Sequence, residues 1–156
     1  MQAMRKALTL ALGLTSIAVG CKKAPPAKPV TFAIFEVVDC SVGHTAPMPL
    51  RGSNAKYCIA PSPVIAGTDL RGAHAGRDER GNRILNMYFT LAAGDRMRAA
   101  TQRLVQEHGQ MAVVIDGKLF MAPEVRTVIA DSVVLTPDLS EEELEELAAS
   151  LRVIRP

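Results

Sequence analysis

Met111-Ala112-Val113-Val114-Ile115-Asp116-Gly117-Lys118-Leu119-Phe120-Met121-Ala122-Pro123 is the stretch whose reading decides the fold. Asp-Gly between two apolar runs is the strongest short hairpin signal, because a two-residue turn of type I′ needs positive φ at both positions. The run Met111 to Ile115 does not alternate with polar residues, which predicts a buried strand, and Lys118 to Met121 is its returning partner. Upstream, Gly109 stands where a left-handed residue ends a helix. The helix is predicted over Ala92 to His108, with Met97, Ala100, Thr101, Leu104 and Val105 on one face. Before it, Arg83 to Leu91 alternates as a strand does. Downstream, Val125 to Ala130 and Ser132 to Thr136 are short strand candidates. Ser140-Glu141-Glu142-Glu143 then forms a capping box, with Ser140 at the cap and Glu143 three residues on. Leu139, Leu144, Leu147, Ala148 and Leu151 line the apolar side of the helix it starts.

Further out, Thr31 to Val38 is rich in β-branched and aromatic residues and reads as a strand. A loop with Gly43, Pro47, Pro49 and Gly52 separates it from a short strand at Tyr57 to Ala60, which Pro61 and Pro63 stop. Thr68 and Asp69 are expected to open a short helix or turn through Ala75. Gly76 to Gly81 is a charged turn. The sum is an α+β class: a mostly antiparallel sheet with two longer helices on one face.

The first twenty residues have a different character. Arg5 and Lys6 precede an uncharged run, Ala7 to Val19, too short for a comfortable membrane span of roughly 20 residues and suited to a signal-peptide core. It ends in Ala18-Val19-Gly20-Cys21, which resembles the lipobox of bacterial lipoproteins, where the cysteine is acylated after cleavage. A plain signal peptide or an uncleaved anchor are the alternatives. Lys22 to Pro29, rich in lysine and proline, is expected to be a tether. The expected organisation is residues 1–20 signal, 21–29 tether and 30–156 folded domain. With Cys21 lipidated, Cys40 and Cys58 remain as a pair in a compartment that permits a disulfide, which would stabilise the fold by about 3 kcal/mol. Free thiols or a metal site are the alternatives, though no histidine lies close in sequence. The expected location is the periplasmic side of the envelope, with Lys22 after the cysteine favouring the outer membrane.

The chain has 156 residues, 48% hydrophobic and 22% charged, with a formal net charge of +2, which is globular composition. So small a charge and 4% aromatics argue against nucleic acid. His44, His74 and His108 are scattered. No nucleophile elbow, HExxH or P-loop is present, so neither an enzyme nor a cofactor is expected.

The stretch from Pro63 to Arg152 resembles a known family. Val64-Ile65-Ala66-Gly67-Thr68-Asp69-Leu70 with Ala73, the strand Asn86 to Leu91, a helix with Thr101, the Met111 to Pro123 run, and Leu135-Thr136 leading into the Ser140 helix follow one another as in the head subdomain of the first periplasmic domain of SecD/SecDF. Phe32 to Val38 is similar to the strand that opens that subdomain. The resemblance implies a head-like fold without catalysis, a place in the envelope, and exported polypeptides or Sec translocon components as partners. The chain departs from the family between Ile129 and Thr136, where it has no glycine, and at Leu151-Arg152-Val153-Ile154-Arg155-Pro156, where it stops as the family enters its connection. It also shows no membrane span after the signal. The reading is a lipid-anchored polypeptide-binding module accessory to export or envelope folding. A structural or ligand-binding envelope module is the second reading.

Overall fold

β7 (Met111–Ile115) is buried along its whole length because two cores meet at it. The structure, a computed structural model, describes residues 30–41 and 46–152. Met111, Val113 and Ile115 enter the main core, while Ala112 and Val114 enter a smaller one. A strand buried on both faces must be apolar at every position, hence the unbroken run. Asp116 and Gly117 have φ of 49° and 71°, the pair a type I′ turn demands. The Asp116 carboxylate also accepts the Thr31 N–H at 2.9 Å and the Thr31 hydroxyl at 3.3 Å, fastening the turn to the start of the first strand.

In chain order the first strands are β1 (Phe32–Val38), β2 (Met48–Pro49), β3 (Lys56–Ile59) and β4 (Ile65–Ala66). With β7 and β8 (Lys118–Met121) they form one sheet in the order β2-β3-β1-β7-β8, with β4 also paired to β1. The sheet curls until Leu50, just past β2, bridges Leu119 of β8, and the Arg51 N–H donates to the Leu119 carbonyl at 2.9 Å. Inside the curl lie Ile59, Ala112, Val114 and Leu119, walled by Phe35, Val37, Met48, Leu50 and Tyr57. Cys40 and Cys58 are joined across its rim, their Cα atoms 5.2 Å apart.

A second sheet contains β5 (Leu70–Arg77), β6 (Arg83–Phe89) and β9 (Ser132–Leu135), antiparallel in the order β5-β6-β9. The α+β class with antiparallel sheets and two long helices is therefore observed, its strands divided between two sheets. Ala73, Leu85, Met87, Phe89 and Leu135 face inward and meet α1 (Leu91–Glu107) and α2 (Glu141–Arg152) in the main core. α2 lies chiefly along β5.

Both helices carry local start signals. The Thr90 hydroxyl accepts the Ala93 N–H at the start of α1. At α2 the Ser140 hydroxyl accepts the Glu143 N–H at 3.1 Å and Glu143 accepts the Ser140 N–H at 2.8 Å, the expected reciprocal box. Leu139, Leu144, Leu147, Ala148 and Leu151 are all buried, as the helical spacing predicts.

Three expectations are corrected. The residue from Thr68 to Ala75 is not a helix or helical turn: after a single 3-10 turn at Gly67–Asp69, the chain enters β5. Its glycines and alanines carry little strand propensity, and pairing with β6 decides the matter. Val125 to Ala130 is not a strand. The Val125 N–H goes to the Gly109 carbonyl and the Ile129 N–H to the Thr101 hydroxyl, so these backbone groups are satisfied outside any ladder. At the end of α1 the left-handed residue is His108, with φ of 52°, and not Gly109. Gly109 is needed for space, because a Cβ there would collide with Leu104 Cδ2.

Candidate functional site

The segment after β8 crosses from one sheet to the other and is held against α1 by one hydroxyl. Thr101, fully buried on α1, donates to the Met97 carbonyl at 2.8 Å and accepts the Ile129 N–H at 3.0 Å. A helix interior normally disfavours such a residue; here its hydroxyl satisfies a backbone group of another segment. Gly94 permits the close approach, since a Cβ there would sit 3.3 Å from the Ala130 carbonyl oxygen. The segment is thereby pressed onto the helix at Ile129 and Ala130, while Pro123 to Val125 stay bonded to Gly109 and Met111 at the start of β7, and the recess opens where the segment passes from one anchor to the other.

This apolar recess, of about 230 Å³, lies between the sheets. Its floor is Ile34, Met97, Met111 and Val113; Val125, Ile129, Val133 and Leu135 form the walls; and Glu124, Arg126 and Thr127 stand at the mouth. The floor residues are buried, whereas Ile129 and Val133 are half-buried. Two methionines give the floor adaptable shape, since Met is unbranched and polarisable. The charges at the mouth are balanced: Glu124 lies 3.6 Å from Arg126 and 3.5 Å from the His108 ring.

A second feature adjoins it. Among the described residues no helix lies over the outer face of the three-stranded sheet. It carries Gly72, His74, Asn86, Tyr88, Ser132 and Val134 at outward-facing register positions. Tyr88 is 45% exposed, Val134 56% and Leu91, just past β6, 79%. The His74 and Tyr88 rings touch edge to face, with centroids 6.0 Å apart. A hollow on this face, lined by Arg71, Tyr88 and Asp131, and another lined by Arg77, Arg83 and Asp138 have charged linings.

Among the described residues no group of three or more His, Cys, Asp or Glu is placed to hold a metal ion. His74 and His108 are far apart in the fold and exposed, one on the outer face of β5 and the other capping α1. Asp116 serves the hairpin. Cys21 and His44 lie outside the described residues. No helix among the described residues is long and apolar enough to cross a membrane. The recess was not foreseen from the sequence. Helical spacing puts Thr101 on the buried face of its helix, but nothing local says which segment it holds.

The order of elements and their register can be compared with known proteins. The family described as SecDF, P1 head subdomain, matches residues 44–153. The chain belongs to that family. It is 29% identical over 105 residues to protein translocase subunit SecD of Aquifex aeolicus, covering 67% of this chain and 21% of the relative. It is 30% identical over 91 residues to protein translocase subunit SecDF of Thermus thermophilus, covering 58% of this chain and 12% of that protein. The chain thus spans about a fifth or less of the length of these relatives. In three dimensions it is similar to SecDF in its super-membrane-facing form, with a TM-score of 0.65 and 21% identity, over 81% of this chain and 19% of the other. It is also similar to a solved chain of SecDF, described as a membrane component that enhances protein export, with a TM-score of 0.62 and 22% identity, over 81% of this chain and 63% of that one. At these identities the structures show the head fold and no more.

Proposed function

We propose that this chain is a periplasm-facing lipoprotein whose head domain binds extended polypeptide, in the service of protein export or envelope protein folding. Residues 1–20 are the signal, Cys21 is the acylated residue, 21–29 the tether and 30–156 the binding module. Family membership supports the connection to the Sec translocon, and the names of the relatives supply export as the process. The observation that carries the binding reading is the apolar recess at Met97 and Met111, open beside an uncovered sheet face. Apolar hollows with a few polar groups at the mouth are where ligands of this character bind. Cys40 and Cys58 serve as an oxidised staple in this reading, which thiol labelling of the native protein with and without reductant would test.

The decisive experiment is photocrosslinking in cells from a residue at the mouth, at position 127. A second probe at position 117 is the control, since the Asp116–Gly117 turn lies at the opposite end of β7 from Met111. Envelope polypeptides or Sec components are expected from position 127 and not from 117. Capture of neither class from position 127 would overturn the reading. Replacing Cys21 with Ser is expected to release the protein from the membrane fraction, and unchanged membrane association would remove the lipoprotein assignment.

A further inference from the structure

The ladder between β6 and β9 determines which backbone groups of β9 remain unpaired. The Phe89 N–H donates to the Asp131 carbonyl at 2.9 Å, and the register continues as Met87 with Val133 and Leu85 with Leu135. In an antiparallel pair, alternate residues turn both N–H and C=O toward the partner strand. Val133 and Leu135 therefore bond to β6, and Ser132 and Val134 turn their N–H and C=O to the other side. Among the described residues no strand lies there, and neither residue has a backbone partner outside the β6 ladder. Both residues are exposed, and Val134 is β-branched and apolar. No lysine, proline or bulge protects the strand, and these are the usual means of blunting an edge.

The same edge borders the recess. Val133 and Leu135, whose side chains line it, belong to this strand. A strand laid beside β9 would direct every second side chain to the side of Val133 and Leu135, which is the recess side. We propose that the free edge of β9 takes an extended polypeptide segment as an added strand, with its alternate apolar side chains entering the recess. This rests on the polypeptide-binding reading and names how the segment is held: backbone hydrogen bonds supply sequence-tolerant grip, and the recess selects apolar residues at alternate positions. Because Glu124 is already matched by Arg126 and the His108 ring, the segment needs no net charge. β9 has four residues, too few to hold two copies of this chain by ladder bonds alone, whereas an incoming strand adds burial of its own side chains.

The test uses the purified full chain and a capped, uncharged peptide of about ten residues alternating Val and Thr, a length that covers the edge with overhang. Two further peptides carry N-methyl groups on alternate residues, one in each register. Binding is followed by fluorescence anisotropy and by amide hydrogen exchange. Exchange at Ser132 and Val134 is expected to slow at least about tenfold with the parent peptide, and one methylated register should lose binding while the other keeps it. Equal binding by both methylated peptides, or protection elsewhere with none at Ser132 and Val134, would overturn the edge and leave the binding reading standing. No binding by any of the three would overturn both. A dimer of the chain alone that V134P dissociates would overturn it in favour of a second copy. Val134→Pro removes an N–H that β6 does not use, so the fold should survive with peptide affinity down at least about tenfold. The methylated peptides decide the matter even if that variant melts early.

Discussion

The two edges of the three-stranded sheet differ. On β5, the residues opposite Tyr88, Asn86 and Ile84 bond to β6, because Phe89, Met87 and Leu85 are turned to β9. Ala73 and Ala75 therefore direct their backbone groups away from the sheet, as Ser132 and Val134 do on β9. Ala73 lies on the core face of β5 and is fully buried, while Val134 lies on the outer face of β9 and is 56% exposed. What distinguishes the two edge strands is α2, which lies along β5 and reaches no comparable contact with β9. A helix over an edge is one of the ways a sheet avoids pairing with other chains. One edge is closed by tertiary packing and the other is left to whatever the recess attracts.

Removing the cover should have the largest effect. Leu144, buried on α2, is expected to cost about 2–5 kcal/mol as Leu144→Ala, read by chemical denaturation, and to speed amide exchange at Ala73 more than at Met87. An equal increase at both sites would mean that α2 supports the whole sheet and does not specially shield its edge. Next comes the pin that shapes the open side. Thr101→Val leaves the Ile129 N–H without its acceptor and is expected to cost about 1–3 kcal/mol, with added exchange at Ile129. A neutral result would show that the segment is held by packing alone.

A smaller effect is expected from pH at the start of α2. Hydrogen bonding from Ser140 holds the Glu143 carboxyl below the ordinary glutamate value, with Arg51 lowering it further. A carboxyl depressed in the folded state stabilises it above the unfolded pKa, and that contribution is lost as pH falls through the folded value. Amide exchange in the first turn of α2 should accordingly rise as pH falls below about 4.5 once corrected for intrinsic rates, and Glu143→Gln should remove that dependence. Persistence of the dependence in the variant would place its origin elsewhere. Least of all, Val134→Lys should change stability by no more than about 0.5 kcal/mol, because the side chain is exposed. It should nevertheless weaken binding of the uncharged Val/Thr peptide, measured by fluorescence anisotropy, since a lysine on an edge opposes strand addition; unchanged binding would show that the peptide does not pair with this edge.

What could be read in advance, and what could not, follows the same division. The 111–121 hairpin was legible because Asp116 and Gly117 meet a dihedral requirement contained in two residues. The last helix was legible because Ser140, Glu143 and the leucine spacing act within three turns of chain. β5 was missed because its strand character comes from β6 and the cover of α2, and Leu70 to Arg77 itself contains mostly small or charged residues. The path of residues 125–131 was missed because its apolar residues resemble a strand, while its hydrogen bonds go to Gly109 and to Thr101.

The amino-acid sequence by itself determined the hairpin, both long helices, the buried character of β7 and the α+β class. Each depends on turn dihedrals, caps or periodicity that neighbouring residues decide between them. Tertiary structure alone decided the division into two sheets, the recess between them, and which edge α2 covers. Those depend on pairings between residues distant in the chain, such as Thr101 with Ile129 and Leu50 with Leu119, and no local pattern encodes which partner a buried polar group or a strand edge will find.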